Sequence, residues 1–208
     1  MEMSTMKRIV IYIMGMWVVS LGIVLNAKAD LGVSAISALP YAVFKISILT
    51  FGTATMFFHI ANVIFQGILR KKCDLRIVLQ IIVSVIFGKI IDLLNGWITV
   101  EAKSVLLQIT ILVAGIVFTA LGTVLMIHMD LVNNPPDGAV KVISQKTGKE
   151  FGKTKVRYDI TMVVITCVFC LLTTHTVIGI GVGTVASALC VGKCASMFNR
   201  SFATCQSN

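Results

Sequence analysis

Apolar residues run through this chain in six long blocks, separated by short stretches where glycine, proline and charge collect. The blocks cover residues 9–27, 51–69, 76–95, 105–127, 156–174 and 178–198. Each is close to the roughly 20 residues that a helix needs to cross the hydrocarbon core of a bilayer. The pattern therefore predicts six transmembrane helices. The second and last blocks are the weaker ones, because each carries several glycines or polar residues. Two shorter segments, 32–46 and 132–148, fall after the first and fourth blocks. Each is too short for a full crossing. It is either a broken or re-entrant half-helix, or a loop followed by an amphipathic surface helix.

The blocks repeat. Displaced by 100 positions, Gly15, Leu21, Gly22, Val24, Leu25, Asp30 and Leu31 fall on Gly115, Leu121, Gly122, Val124, Leu125, Asp130 and Leu131. Phe51-Gly52 falls on Phe151-Gly152, and with four more residues of offset Gly88-Lys89 falls on Gly192-Lys193. Gln80, Ser84, Gly88 and Asp92 form an i, i+4 stripe, as do Thr184, Ala188, Gly192 and Ser196. Small residues at that spacing let membrane helices approach closely. Each repeat reads as a helix, an Asp-Leu hinge, a short segment and two further helices. Three crossings per repeat is an odd number, so the two repeats run in opposite orientation through the membrane. That is the inverted-repeat build of many transporters. The expected fold is all-α, a single transmembrane domain over 1–208, with repeat 1 at about 9–95 and repeat 2 at about 105–198.

Composition agrees with a membrane class. Of 208 residues, 57% are hydrophobic and 13% charged, with mean hydropathy +0.94. A soluble domain has about 25% charged residues, so there is too little charge here to cover a surface facing water. The net charge of +9 would suggest nucleic acid in a soluble protein, but here it follows the connections between blocks. Lys7, Arg8, Arg70, Lys71, Lys72, Arg76, Lys141, Lys146, Lys149, Lys153, Lys155, Arg157 and Arg200 fall on one side, against Lys28, Lys45 and Lys103 on the other. By the positive-inside rule both termini are cytoplasmic, in a multi-pass protein of the plasma membrane. The expected partner is the lipid bilayer, not nucleic acid. Lys7-Arg8, the apolar run and Ala27-Lys28-Ala29 mimic a signal peptide, yet the run is long for one and has its counterpart deep in the chain, so it reads as a retained helix.

Ionisable and amide groups inside apolar blocks are costly and so are functional candidates. His59, Asn62 and Gln66 share one helix face, and their counterparts one repeat on are Asp159, Met162 and Thr166. Lys155 and Asp159 lie one turn apart and Lys89 and Asp92 three residues apart, spacings at which each could pair. His59 is the group suited to proton exchange near neutral pH. The alternative for all of these is snorkelling to the interface or tying helices together. The segment Asn133-Asn134-Pro135-Pro136-Asp137-Gly138 reads as a helix start with Asn134 as its cap. Such a start inside the membrane offers free N–H groups and a positive dipole end, suited to an anion.

Six cysteines do not read as a disulfide framework, since Cys167, Cys170, Cys190 and Cys194 sit in apolar runs, Cys73 in a basic loop and Cys205 in the tail. Cys167-x-x-Cys170 lies well inside an apolar helix without a neighbouring base, so inert packing outweighs thiol or metal chemistry. No zinc motif, phosphate loop or Ser/His/Asp arrangement is apparent, and neither cofactor, metal nor enzymatic activity is expected.

Ala29-Asp30-Leu31-Gly32-Val33-Ser34, Pro135-Pro136-Asp137-Gly138, Thr147-Gly148, Lys155 with Asp159, Gly181-Val182-Gly183-Thr184 and Gly192 follow one another in an order that resembles the YczE/YitT-like family of bacterial multi-pass membrane proteins. The resemblance covers nearly the whole chain. It departs at Ala35 and Ser37, where that pattern has Pro and Asp, and at Lys89 and Lys193, where Pro is usual. It implies a membrane class more than an activity.

Together these features point to a small-solute transporter or permease with its site at the repeat interface. Asp137, Asn133, Asn134, Pro135, Pro136, Asp30, Asp130, His59 and Asn62 are the expected lining or gating residues. The small size leaves room for a homodimer. The competing expectations are a non-transporting membrane regulator or assembly partner, which would use the basic stretch Lys141–Arg157, and an intramembrane thiol oxidoreductase at Cys167 and Cys170.

Overall fold

The structure, a computed structural model, describes residues 4–71 and 75–206, without the side chains of 196 and 199–206. Lys72 and Cys73 lie outside the described residues, as do the side chains of Ser196, Arg200 and Cys205. The described residues form eight helices and no strand: α1 Thr5–Lys28, α2 Ala35–Ile46, α3 Phe51–Arg70, α4 Leu75–Trp97, α5 Val105–Met129, α6 Pro135–Thr147, α7 Phe151–Thr174 and α8 Val182–Gln206. A long helix, a short one and two long ones thus occur in order, twice.

Five of these helices, α1, α3, α4, α5 and α7, are long and apolar enough to cross a membrane. They match the first five apolar blocks, with α7 beginning five residues before its block. The sixth block falls on α8, which is apolar over Val182–Ala195 and continues as a helix to Gln206. Large apolar side chains stand exposed along all the long helices, including Ile13, Phe57, Ile82, Val113, Ile160 and Leu189. A surface of this kind belongs against lipid and not water.

The ends of the helices have local causes. Thr50 caps α3 by accepting from Thr53 N, and Ser104 caps α5 by accepting from Leu107 N. The two hinge aspartates, Asp30 and Asp130, both sit in the left-handed region, with φ of 55° and 43°. Aspartate is among the few L-residues that tolerate this conformation. The turn at Asp130 leaves the last carbonyls of α5 without helical partners. Arg8 meets one of them, donating from Nε and Nη2 to Met129 O at 3.2 and 2.5 Å. On the other hinge, Gly183 N donates to Leu31 O at 2.7 Å and Val33 N to Gly179 O at 2.9 Å, stitching it to the loop before α8.

Helices α1 and α5 pack along each other at the centre, with α4 on α1 and α8 on α5. Their glycines make this possible. A Cβ on Gly22 would lie 2.5 Å from Thr119 N, and one on Gly122 would lie 2.6 Å from Val19 N. The two short helices cross over: α2 packs on α7, and α6 packs on α3. Helix α3 also packs along α4, whereas α7 has no comparable interface with α8 or with α3.

This changes the reading of the small-residue stripes. On α4 the stripe works, because Gln80, Ser84 and Gly88 are buried and Gly88 meets Gly52 of α3. Of the described stripe residues on α8, Thr184 is buried, while Ala188 and Gly192 face outward with nothing near Gly192. The expected Lys89–Asp92 pairing is also replaced. Asp92 instead caps α3, accepting from Gly52 N and Thr50 Oγ1, both at 2.6 Å. An acid at a helix N-terminus meets unpaired amides and the positive end of the dipole.

Candidate functional site

Helix α6 starts inside the bundle and not at its edge. Pro135 and Pro136 occupy its first positions, where a missing N–H and a fixed φ cost nothing, and both are buried. Asn134 stands at the N-cap position, but its side chain makes no capping bond and its Oδ1 is buried without a partner. The backbone supplies the first helical bond, Gly138 N to Asn134 O at 2.8 Å. Since the two prolines have no N–H, the first turn offers an anion at most the amide of Asp137. The carboxylate of Asp137 itself occupies the positive end of the dipole.

That carboxylate is held from α7. Lys155 Nζ donates to Asp137 Oδ1 at 2.7 Å, with both side chains less than one-third exposed. Asp159, one turn beyond Lys155, was the partner expected from helical spacing. Its Oδ1 is instead buried without a hydrogen-bond partner.

Helix α3 brings three polar groups to the same place. Tyr158 donates its hydroxyl to Asn62 Oδ1 at 2.5 Å, and Asn62 Nδ2 donates to Phe58 O at 2.9 Å. One turn on, Gln66 donates to Gln80 Oε1 at 2.9 Å and to Pro135 O at 3.0 Å, and Gln80 returns a bond to Gln66 Oε1 at 3.2 Å. Gly138 lets α6 approach, because a Cβ there would lie 2.6 Å from Gln66 Oε1. His59 is buried against the ring of Phe87, centroids 5.3 Å apart, and its Nδ1 has no partner. Buried amides and hydroxyls in an apolar bundle are tolerated when bonded to one another. In this cluster the unbonded atoms of His59, Asn134 and Asp159 are the exceptions.

Beside this cluster a cavity of about 510 Å³ opens where α3 and α7 part. Phe58, Phe65, Ile143, Met162 and Ile165 make its walls, and Asn62 and Tyr158 lie on its floor. Lys149 and Arg157, both exposed, also line it, together with Thr147 and Thr161.

The expected site residues therefore divide. Asp137, Asn134, Pro135, Pro136, His59 and Asn62 meet at the junction of α3, α6 and α7, and Asn133 is half-buried at the approach to it. Asp30 is elsewhere, lining a second cavity of about 460 Å³ with Asn26, Tyr41, Lys45 and the 177–182 loop. The side chain of Asp130 is exposed at its turn and joins neither cavity. Tyr158, Gln80, Lys149 and Arg157 belong to the first site or its mouth without having been expected there. Cys167 and Cys170 are free thiols, with Cys170 Sγ turned to the carbonyl of Ile178 at 3.9 Å.

No curated protein and no solved structure matches the chain. A family model does match it, over residues 6–200. With nearly the whole chain covered, this helical, apolar, membrane-type protein belongs to the Family of unknown function (DUF6198).

Proposed function

We propose that the protein is a small-solute permease built as two inverted repeats of three crossings each, with its site where α3, α6 and α7 meet. The observation that carries this reading is the cluster itself. Polar side chains from both halves of the chain, Asn62 and Gln66 on one side and Asp137, Lys155 and Tyr158 on the other, converge beside one cavity in an otherwise apolar bundle. Intramembrane polar groups are expensive and mark solute paths by default. Further support comes from the reciprocal packing of α2 on α7 and α6 on α3. Two halves linked in this way can rock about the α1/α5 contact and expose the site to either side in turn. On this reading α8 is the sixth crossing, both termini are cytoplasmic in the plasma membrane, and the chain is akin to the YczE/YitT-like proteins.

The test is thermal stabilisation of the purified protein against a library of metabolites and ions, followed by uptake of any hit into proteoliposomes. A ligand of the native state raises apparent stability by mass action. Asp137→Asn is expected to abolish uptake while the protein still inserts into the membrane. Full uptake by a well-expressed Asp137→Asn protein removes Asp137 from the site.

A second reading, an assembly partner or a homodimer, is favoured by the wide apolar face that α7 leaves open, with only 17% of its apolar stretch buried. Co-purification at stoichiometric levels, or a dimer that survives dilution in detergent, would favour it.

A further inference from the structure

The cavity between α3 and α7 lies beside the polar cluster, and its walls do not suit a fully polar solute. Phe58, Phe65, Met162 and Ile165 face it from the two helices, and Leu39 and Ile143 close it from α2 and α6. A volume of about 510 Å³ is in the usual range of about 300–1,000 Å³ for a small-molecule site. Its opening lies between helices whose outer residues Phe57, Ile64, Ile160 and Val164 are exposed on the lipid-type surface. The lining also carries charge of one sign. The cations Lys149 and Arg157 are exposed, Asn62 and Tyr158 are buried, and no lining residue is acidic. The second cavity differs, since Asp30 and Lys45 balance each other there.

We infer that the α3–α7 cavity takes a single-chain anionic amphiphile of the fatty-acid class, its chain between Phe58, Phe65, Met162 and Ile165 and its head at Arg157 and Lys149. The inference rests on the permease reading only in placing the binding site at this cavity, and it names the class of ligand. The physical basis of recognition is the head. An acyl chain leaving the bilayer gains no hydrophobic energy by entering a protein cavity, because lipid tails are as apolar as its walls. Arginine supplies charge-assisted hydrogen bonds to a carboxylate, often two in parallel. Ala61, exposed on α3 and lining the cavity, marks where added bulk fills the space without disturbing the buried cluster.

The experiment is photolabelling of the full chain, purified in a maltoside detergent, with a palmitate that carries a diazirine in its chain. Peptide mass spectrometry then locates the adducts. Labelling is expected on the segments containing Phe65 and Met162–Ile165, displaced by palmitate but not by hexadecanol or a hexadecyl ammonium. Arg157→Glu is expected to reduce it about tenfold and Arg157→Lys much less, on the scale of one charge-assisted bond. Ala61→Phe should abolish it with the melting temperature kept, which guards against a misfolded Arg157 variant. Equal labelling of α1 and α4, or equal displacement by hexadecanol, would overturn the inference as mere annular lipid. A polar solute that stabilises the protein and is not displaced by palmitate would overturn it while sparing the permease reading. Specific labelling without any uptake would do the reverse.

Discussion

Lys155 and Asp137 join at 2.7 Å across the turn between α6 and α7, placing a cation of one helix on the dipole end of the other. The pair is partly shielded, so removing one partner leaves a charge without compensation. The cost is about 3–5 kcal/mol for a fully buried pair and is expected here at about 2 kcal/mol. Lys155→Met and Asp137→Asn should each lower stability by this order, while the double variant loses less than the sum. A double-mutant cycle on thermal or denaturant unfolding in detergent measures the coupling. Coupling near zero would mean that the two charges do not meet in the folded protein.

Gly52 and Gly88 set the approach of α3 to α4. A Cβ on Gly52 would collide with Gly88 O, and one on Gly88 would lie 2.6 Å from Gly52 O. Alanine at either position must push the helices apart and pull Gly52 N from Asp92. The expected loss is about 2–3 kcal/mol, from overpacking with a lost cap bond. Gly67 on the same helix has nothing within 4 Å, so Gly67→Ala should be neutral or stabilise by up to about 1 kcal/mol. Melting temperatures of the three variants test this contrast, and equal losses would refute the close crossing.

The helices were legible because apolar runs of crossing length leave little choice of secondary structure in a bilayer. All eight segments read from the sequence coincide with helices, within about five residues at most ends, though α8 extends eight residues beyond its block. The proline-led start of α6 was legible too, since Pro135 and Pro136 can open a helix but hardly continue one. The partners were not. Lys155 satisfies helical spacing to Asp159, yet it bonds to Asp137 because α6 folds back beside α7 after Gly148. Lys89 satisfies it to Asp92, yet the unpaired amides at the start of α3 compete for that carboxylate and hold it. Spacing along one helix is silent about which neighbour arrives. For the same reason Thr184, Ala188 and Gly192 look like a packing stripe although no helix covers most of it.

Asp30 and Asp130 occupy corresponding turns with positive φ, and only Asp30 also lines a cavity. If Asp130 is present for its backbone alone, Asp130→Gly should be neutral or slightly stabilising, because glycine reaches this conformation without a Cβ clash. Asp130→Val should cost about 1–2 kcal/mol, since a β-branched residue is strained there. Unfolding of both variants, with uptake where a substrate is in hand, is the check. A large loss of uptake by a stable Asp130→Gly protein would give the side chain a role that its exposed position does not suggest.

The crossing of α8 decides the topology. Its apolar stretch Val182–Ala195 rises about 21 Å at 1.5 Å per residue, against a hydrocarbon core of about 30 Å. The remainder is available from Met197 and Phe198 after it on the same helix, from the apolar residues Val177, Ile178 and Ile180 before it, or from a locally thinned bilayer. Charge favours a crossing, because Lys103 and the 175–181 loop then share the sparsely charged side, and Lys149 and the tail share the basic one. With the six native cysteines replaced by serine, Lys103→Cys and Thr176→Cys should react with an impermeant maleimide applied to whole cells. Lys149→Cys, and a cysteine appended after Asn208, should react only after permeabilisation. If the appended cysteine reacts in intact cells along with Thr176→Cys, α8 does not cross. The chain then has five crossings, the two halves lose their equivalence, and a rocking inverted repeat is no longer available as the mechanism.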